Sequence, residues 1–130
     1  MERRNEDRSS LMSRASDERC IFCRIVRRAA PAEIVAETGD LLAFHDVNPQ
    51  APHHVLIIPK AHIASPNDLA PSDADLVGRM ILMAHEIAED RDLGDAGYRL
   101  VLNCGRQAGQ SVFHMHFHLL GGRFFSWPPG

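Results

Sequence analysis

"VFHMHFHLLGG", Val112 to Gly122, is the stretch on which the fold turns. His114, His116 and His118 take every second position in it, and apolar residues fill the places between. Strict alternation belongs to a β-strand, where residues i, i+2 and i+4 point to one face. The three imidazoles therefore share one face of a strand. Met115, Phe117 and Leu119 share the other and are directed into a core.

The neighbouring segments supply the rest of a sheet. "YRLVLN" (98–103) reads as a strand joined to the histidine strand by the glycine-containing loop "CGRQAGQS". "HVLIIP" (54–59) is almost wholly apolar, as expected of a central strand covered on both faces. "EIVAET" (33–38) and "LLAFHD" (41–46) flank Gly39-Asp40 and predict a hairpin, and the prolines of "VNPQAPH" force an extended loop. "CIFCRIVRRAAPAE" predicts a short helix from the spacing of Ile21, Phe22, Ile25 and Val26, stopped by Pro31. "SDADLVGRMILMAHEIAEDRDL" (72–93) predicts the long helix. Ser72 is its expected cap, Asp75 supports it, and Leu76, Met80, Met83 and Ile87 form its core stripe. Gly94 and Gly97 are the expected stop. The order helix, three strands, helix, two strands indicates an α+β domain: an antiparallel five-stranded sheet with one long and one short helix on one side.

At 130 residues, 45% of them hydrophobic, the chain fits one domain, here residues 19–130. Residues 1–18 are polar and charged and are expected to form a disordered tail; Met12 is an alternative start. The formal net charge of -3, without a basic run, argues against nucleic-acid binding by charge. No apolar run reaches the ~20 residues of a membrane span, and the first residues lack the apolar stretch expected of a secretory signal. The expected compartment is the cytoplasm, where Cys20, Cys23 and Cys104 stay reduced and are no disulfide framework.

Two chemistries suit an imidazole strip. Alternating histidines can converge on a metal ion. Alternatively, one neutral imidazole attacks phosphorus while its neighbours hold the phosphate oxygens. The loop ahead of the strip, "AGQS", favours the second, because glycine permits close backbone approach to a phosphate and Ser111 offers a hydroxyl to a leaving group.

"HMHFHLL" resembles the motif of the histidine triad family. "FHDVNPQAPHHVLIIPKAHI", "GYRLVLNCG", "AGQSVFHMHFHLLGGR" and the terminal "WPPG" resemble its Hint branch, and the likeness covers roughly Cys20 to Gly130. The resemblance implies hydrolysis of purine nucleoside phosphoramidates to a nucleoside monophosphate, with no metal needed for catalysis. It makes His116 the nucleophile that forms a nucleotidyl-histidine, gives His114 a supporting part in the catalytic site, and places His118, Ser111 and Asn103 at the phosphate and leaving group. Gly109 and Gln110 then border the phosphate, Asp46 holds the ribose, and Phe22, Ile25, Phe44, Val47 and Leu56 line the base pocket. It further implies a homodimer with one continued sheet, across which Trp127 reaches the partner's site. Some bacterial members with a matching "CIFC" hold a structural zinc, which carries over to Cys20, Cys23, His54 and His114, two thiolates and two imidazoles. Two departures bear on leaving-group preference: His53 stands where a small residue is usual, and Ser126 where relatives often carry His. Three other readings remain open: a nucleotide-binding scaffold with incidental catalysis, a metal-dependent hydrolase, and a dinucleoside polyphosphate hydrolase or nucleotidyl transferase of the same family.

Overall fold

The computed structural model describes residues 14–130; the start of the expected tail, including Met12, lies outside them. The elements follow the sequence order. They are α1 (Ile21–Val26), β1 (Ile34–Glu37), β2 (Leu41–His45), β3 (His53–Pro59), α2 (Ala74–Asp90), β4 (Tyr98–Leu102) and β5 (Phe117–Gly121). The strands form one antiparallel sheet in the order β1-β2-β3-β5-β4.

β2 and β3 are buried on both faces, and their alternation builds two cores. Leu41, Ala43, Val55 and Ile57 pack with Met80, Met83, Ala84 and Ile87 of α2. Leu42, Phe44, Leu56 and Ile58 pack with Phe22 and Ile25 of α1. The two helices thus cover opposite faces of the sheet, not the one side expected. A strand pair that is apolar on both faces along Leu41–Phe44 and Val55–Pro59 must be covered twice, and the short helix supplies the second cover. Among the described residues no helix is long and apolar enough to cross a membrane.

Three boundaries differ from expectation for local reasons. α2 starts at Ala74, because Pro71–Asp73 first makes a 3-10 turn and Asp73, not Ser72, binds back to the Ala70 N–H at 2.8 Å. It ends at Asp90, since Asp92 takes a left-handed φ of 56° and Leu93 N–H closes onto the Ala88 carbonyl, before either glycine is reached. The histidine strand is shorter than expected and begins at Phe117. Pro59 on β3 has no N–H to offer, and its carbonyl accepts from His114 Nε2 instead of from backbone.

Arg14, within the stretch expected to be a tail, lies against the domain. Arg14 donates two hydrogen bonds to the buried Asp73 carboxylate at 2.7 and 2.8 Å, and the Arg14 carbonyl accepts from His62 N–H. At the other end, the guanidinium groups of Arg99 and Arg123 both lie over the Phe125 ring, and Arg99 donates to the Ser126 carbonyl. Trp127 beyond it is 83% exposed.

Candidate active site

The site lies on the α1 face of the sheet, where β5 runs beside β3. Although His114 and His116 precede the regular strand, the alternation holds: Met115, Phe117 and Leu119 enter the α2 core, and the imidazoles face the other way.

Hydrogen bonds fix the protons on these rings. His116 Nδ1 lies 2.7 Å from the His114 carbonyl. A carbonyl only accepts, so Nδ1 carries the proton and Nε2 keeps a free lone pair. His54 Nδ1 accepts from the Gln50 N–H at 3.0 Å, which puts the His54 proton on Nε2. That proton meets His118 Nδ1 at 2.9 Å, so the His118 proton sits on Nε2. The Asp46 carboxylate stands 3.4 Å from the same His54 Nε2. One open lone pair, on His116, is thus set beside one outward N–H, on His118; the two rings are 4.9 Å apart.

Burial favours the uncharged rings. It pushes His118 down to about 4, with the nearby His116 and His54 adding to the shift and Asp46 opposing it. It also lowers His116, against the hydrogen bond to His114 and the charge of Asp46. His54 moves down for the same first reason.

The triad does not converge on one point. His114 Nε2 donates to the Pro59 carbonyl at 2.7 Å, leaving the Nδ1 lone pair 3.5 Å from Cys20 Sγ and 3.6 Å from Cys23 Sγ. His62 Nδ1 lies 3.3 Å from Cys23 Sγ. The ligand atoms of Cys20, Cys23, His62 and His114 all fall within 4.8 Å of one another. Three of the four expected metal ligands are therefore together, and His54 is not among them. It sits at the start of β3 beside Asp46 and His118, while the cluster lies past the far end of that strand. Five residues of strand separate His54 from Pro59, about 17 Å. His62, three residues beyond Pro59, takes the place. Its signal was present in "PKAHI", a second histidine following the strand.

The rest of the expected site divides. Phe22, Ile25, Phe44 and Leu56 meet in one apolar cluster, whereas Val47 is 96% exposed and outside it. Gly109 has a left-handed φ of 95°, and a Cβ there would stand 4.0 Å from Asn103 Nδ2, so these two residues adjoin. Gln110 is turned inward. Its amide donates to the carbonyls of Ala64 and Val112 and accepts from the Gly105 N–H, so the side chain shapes the loop and has nothing left for a phosphate. Ser111 is exposed at the edge of a hollow of about 540 Å³ that it shares with Cys20, His62 and Phe113. His53 points to the α2 side of the sheet, where Arg91 donates to it and to His45, each at 3.3 Å. It thus stands on the sheet face opposite the imidazoles of His54 and His118.

These features define a class, an antiparallel α+β domain whose sheet face carries ordered imidazoles beside a small-residue loop. Residues 19–126 match the family model described as scavenger mRNA decapping enzyme C-term binding. The purine nucleoside phosphoramidase of Escherichia coli is 46% identical over 106 residues, which are 82% of this chain and 89% of that one. A HIT family hydrolase from Legionella pneumophila superposes with a TM-score of 0.84 at 48% identity, covering 85% of this chain and 99% of the other. A zinc-bound histidine triad family protein from Mycobacterium smegmatis superposes with a TM-score of 0.71 at 34% identity, covering 80% and 75%. The chain belongs to the histidine triad family, on its Hint-like side.

Proposed function

We propose that this protein is a hydrolase that cleaves the P–N bond of purine nucleoside phosphoramidates through a nucleotidyl-His116 intermediate. The observation that carries the reading is the proton pattern: His116 Nε2 is left unprotonated because Nδ1–H donates to the His114 carbonyl, and it stands next to the outward N–H of His118. In the first step Nε2 attacks phosphorus, the P–N bond breaks, and the departing nitrogen takes the proton of the Ser111 hydroxyl. In the second, water attacks the same phosphorus, returns a proton to that hydroxyl, and Nε2 leaves as the neutral imidazole. The His118 N–H holds a phosphate oxygen throughout, a charge-assisted bond that strengthens as negative charge builds. Asp46 binds the ribose hydroxyls, and Phe22, Ile25, Phe44 and Leu56 take the base. The likeness to the Escherichia coli enzyme supports this choice of substrate.

Two thiols and two imidazoles suit tetrahedral Zn²⁺, and the His114 Nδ1 lone pair directed at both sulfurs fits that role. Cys20, Cys23, His62 and His114 would hold it. With four protein ligands it would serve as a structural tie between α1, the segment after β3 and the start of the histidine strip. The free cysteines suit a reducing compartment, so we assign the protein to the cytoplasm. We also assign it a homodimer, joined through β4.

The test is the intact mass after rapid quenching with adenosine 5′-phosphoramidate. Wild type is expected to carry a transient nucleotidyl adduct that His116→Ala lacks. AMP binding by both proteins with neither adduct nor turnover in wild type would sink the enzyme reading and leave a nucleotide-binding protein.

A further inference from the structure

The apolar cluster assigned to the base does not end at Phe44. Ile34 on β1 lies directly across from Phe44, so both side chains stand on the same sheet face, and Ile34 is 40% exposed there. Behind Ile25, the chain leaves α1 through Arg28, at a left-handed φ of 62°, and runs on as Ala29-Ala30-Pro31-Ala32. The three alanines end at Cβ, and Ala30 and Ala32 pack against the cluster that contains Phe22, Ile25 and Phe44. What remains between them is an open hollow of about 350 Å³, walled by Ile25, Ala29, Ala30, Ala32, Ile34 and Arg28. Ile25 is the wall it shares with the base site.

The hollow offers no free charge. Arg28 donates to the Ile25 carbonyl and to the Glu37 carboxylate, which also pairs with Lys60. The hollow therefore suits an uncharged occupant. The direction of approach follows from the ends of the nucleotide. With phosphate at His116 and ribose at Asp46, just past the end of β2, a purine laid over Phe44 turns its far edge toward β1. The far edge of the six-membered ring carries the exocyclic group.

We propose that this hollow is an annex to the base site that accepts an apolar substituent on the exocyclic nitrogen of adenine, so that N6-alkylated adenosine nucleotides are substrates. Its volume is at the lower end of small-molecule sites and accommodates a benzyl group. The inference rests on the nucleotide reading above, and its test separates the two.

The experiment compares kcat/KM for adenosine 5′-phosphoramidate and its N6-benzyl derivative, on wild type, Ala30→Leu and Ile34→Ser, with calorimetric binding of AMP and N6-benzyl-AMP alongside. Wild type is expected to use the benzyl compound at least as well as the parent. Ala30→Leu, which fills the hollow, is expected to lower the benzyl-to-parent ratio by about tenfold. Ile34→Ser, at an exposed edge that tolerates change, moves the ratio the same way and covers the case in which the leucine variant fails to fold. Wild type rejecting the benzyl compound by about tenfold, or a ratio unmoved in both folded variants, would overturn the annex. Absence of turnover of the unsubstituted compound would instead sink the proposed reaction, and the calorimetric ratio would still decide the annex.

Discussion

At the scale of the residue, the site is a problem of where three protons sit. His54, His116 and His118 must be neutral for the pattern Gln50 to His54 to His118 to exist and for His116 to keep its lone pair. Each has its pKa lowered, His118 to about 4, so the folded state holds fewer protons on them than the unfolded chain. We therefore expect the acid limb of the kcat/KM profile well below the ~6.5 of a free imidazole. Stability shares the sign: a depressed folded pKa contributes nothing to its loss above ~6.5, and stability declines as pH falls from there toward the folded values. A limb centred at ~6.5 in a pH–rate series would contradict this. His54 makes a sharper case. Replacing it with alanine removes the donor that selects the His118 tautomer. The loss of one buried donor, about 1–2 kcal/mol, corresponds to roughly tenfold in kcat. His54→Gln, which keeps an N–H, should recover part of it. Equal kcat in wild type and His54→Ala would remove His54 from the mechanism. Sequence alternation made His116 and His118 legible, because face-sharing is local backbone geometry. It could not reveal Gln110 as an internal brace or Val47 as exposed, because both depend on how loops fold back.

At the scale of the element, β3 explains both what was readable and what was not. Its apolar run announced a central strand, and the burial of Val55 to Ile58 bears that out. A strand has two ends, however, and composition does not say which histidine serves which. Antiparallel pairing puts His54 opposite Leu120 and diagonal to His118, while His114 sits beside Pro59, past the end of the paired region. The metal cluster must then recruit from whatever follows β3, and that is His62. The expectation is one zinc per chain by elemental analysis of wild type, lost in His62→Ala and Cys23→Ala, kept in His54→Ala. Because the cluster ties α1 to the strip that carries His116, the metal-free variants should also melt several degrees lower. Zinc retained by His62→Ala but lost from His54→Ala would restore the original ligand set.

At the scale of the whole molecule, the two sheet edges differ. β1 has four residues and an irregular register between Ile34 and Ala36, which blunts it against further pairing. β4 has five residues in unbroken register with β5, and among the described residues no strand lies on its other side. An edge of that kind invites a second copy, and antiparallel pairing of two β4 strands would give a single ten-stranded sheet. We expect light scattering to return twice the chain mass at micromolar concentration. Proline substitution can locate the joint. Along an edge strand, neighbouring N–H groups alternate between the inner partner and the outside, so of Leu100→Pro and Val101→Pro one disrupts the fold and the other leaves a folded monomer. Trp127 supplies an independent readout, since it is the chain's one tryptophan and is 83% exposed here. If the C-terminal segment crosses to the partner, its emission is blue-shifted in wild type and moves red in the folded monomeric variant. A monomeric wild type, or a folded outward-proline variant that is still dimeric, would rule out the β4 joint; unchanged emission on dissociation would keep the joint and confine Trp127 to its own protomer.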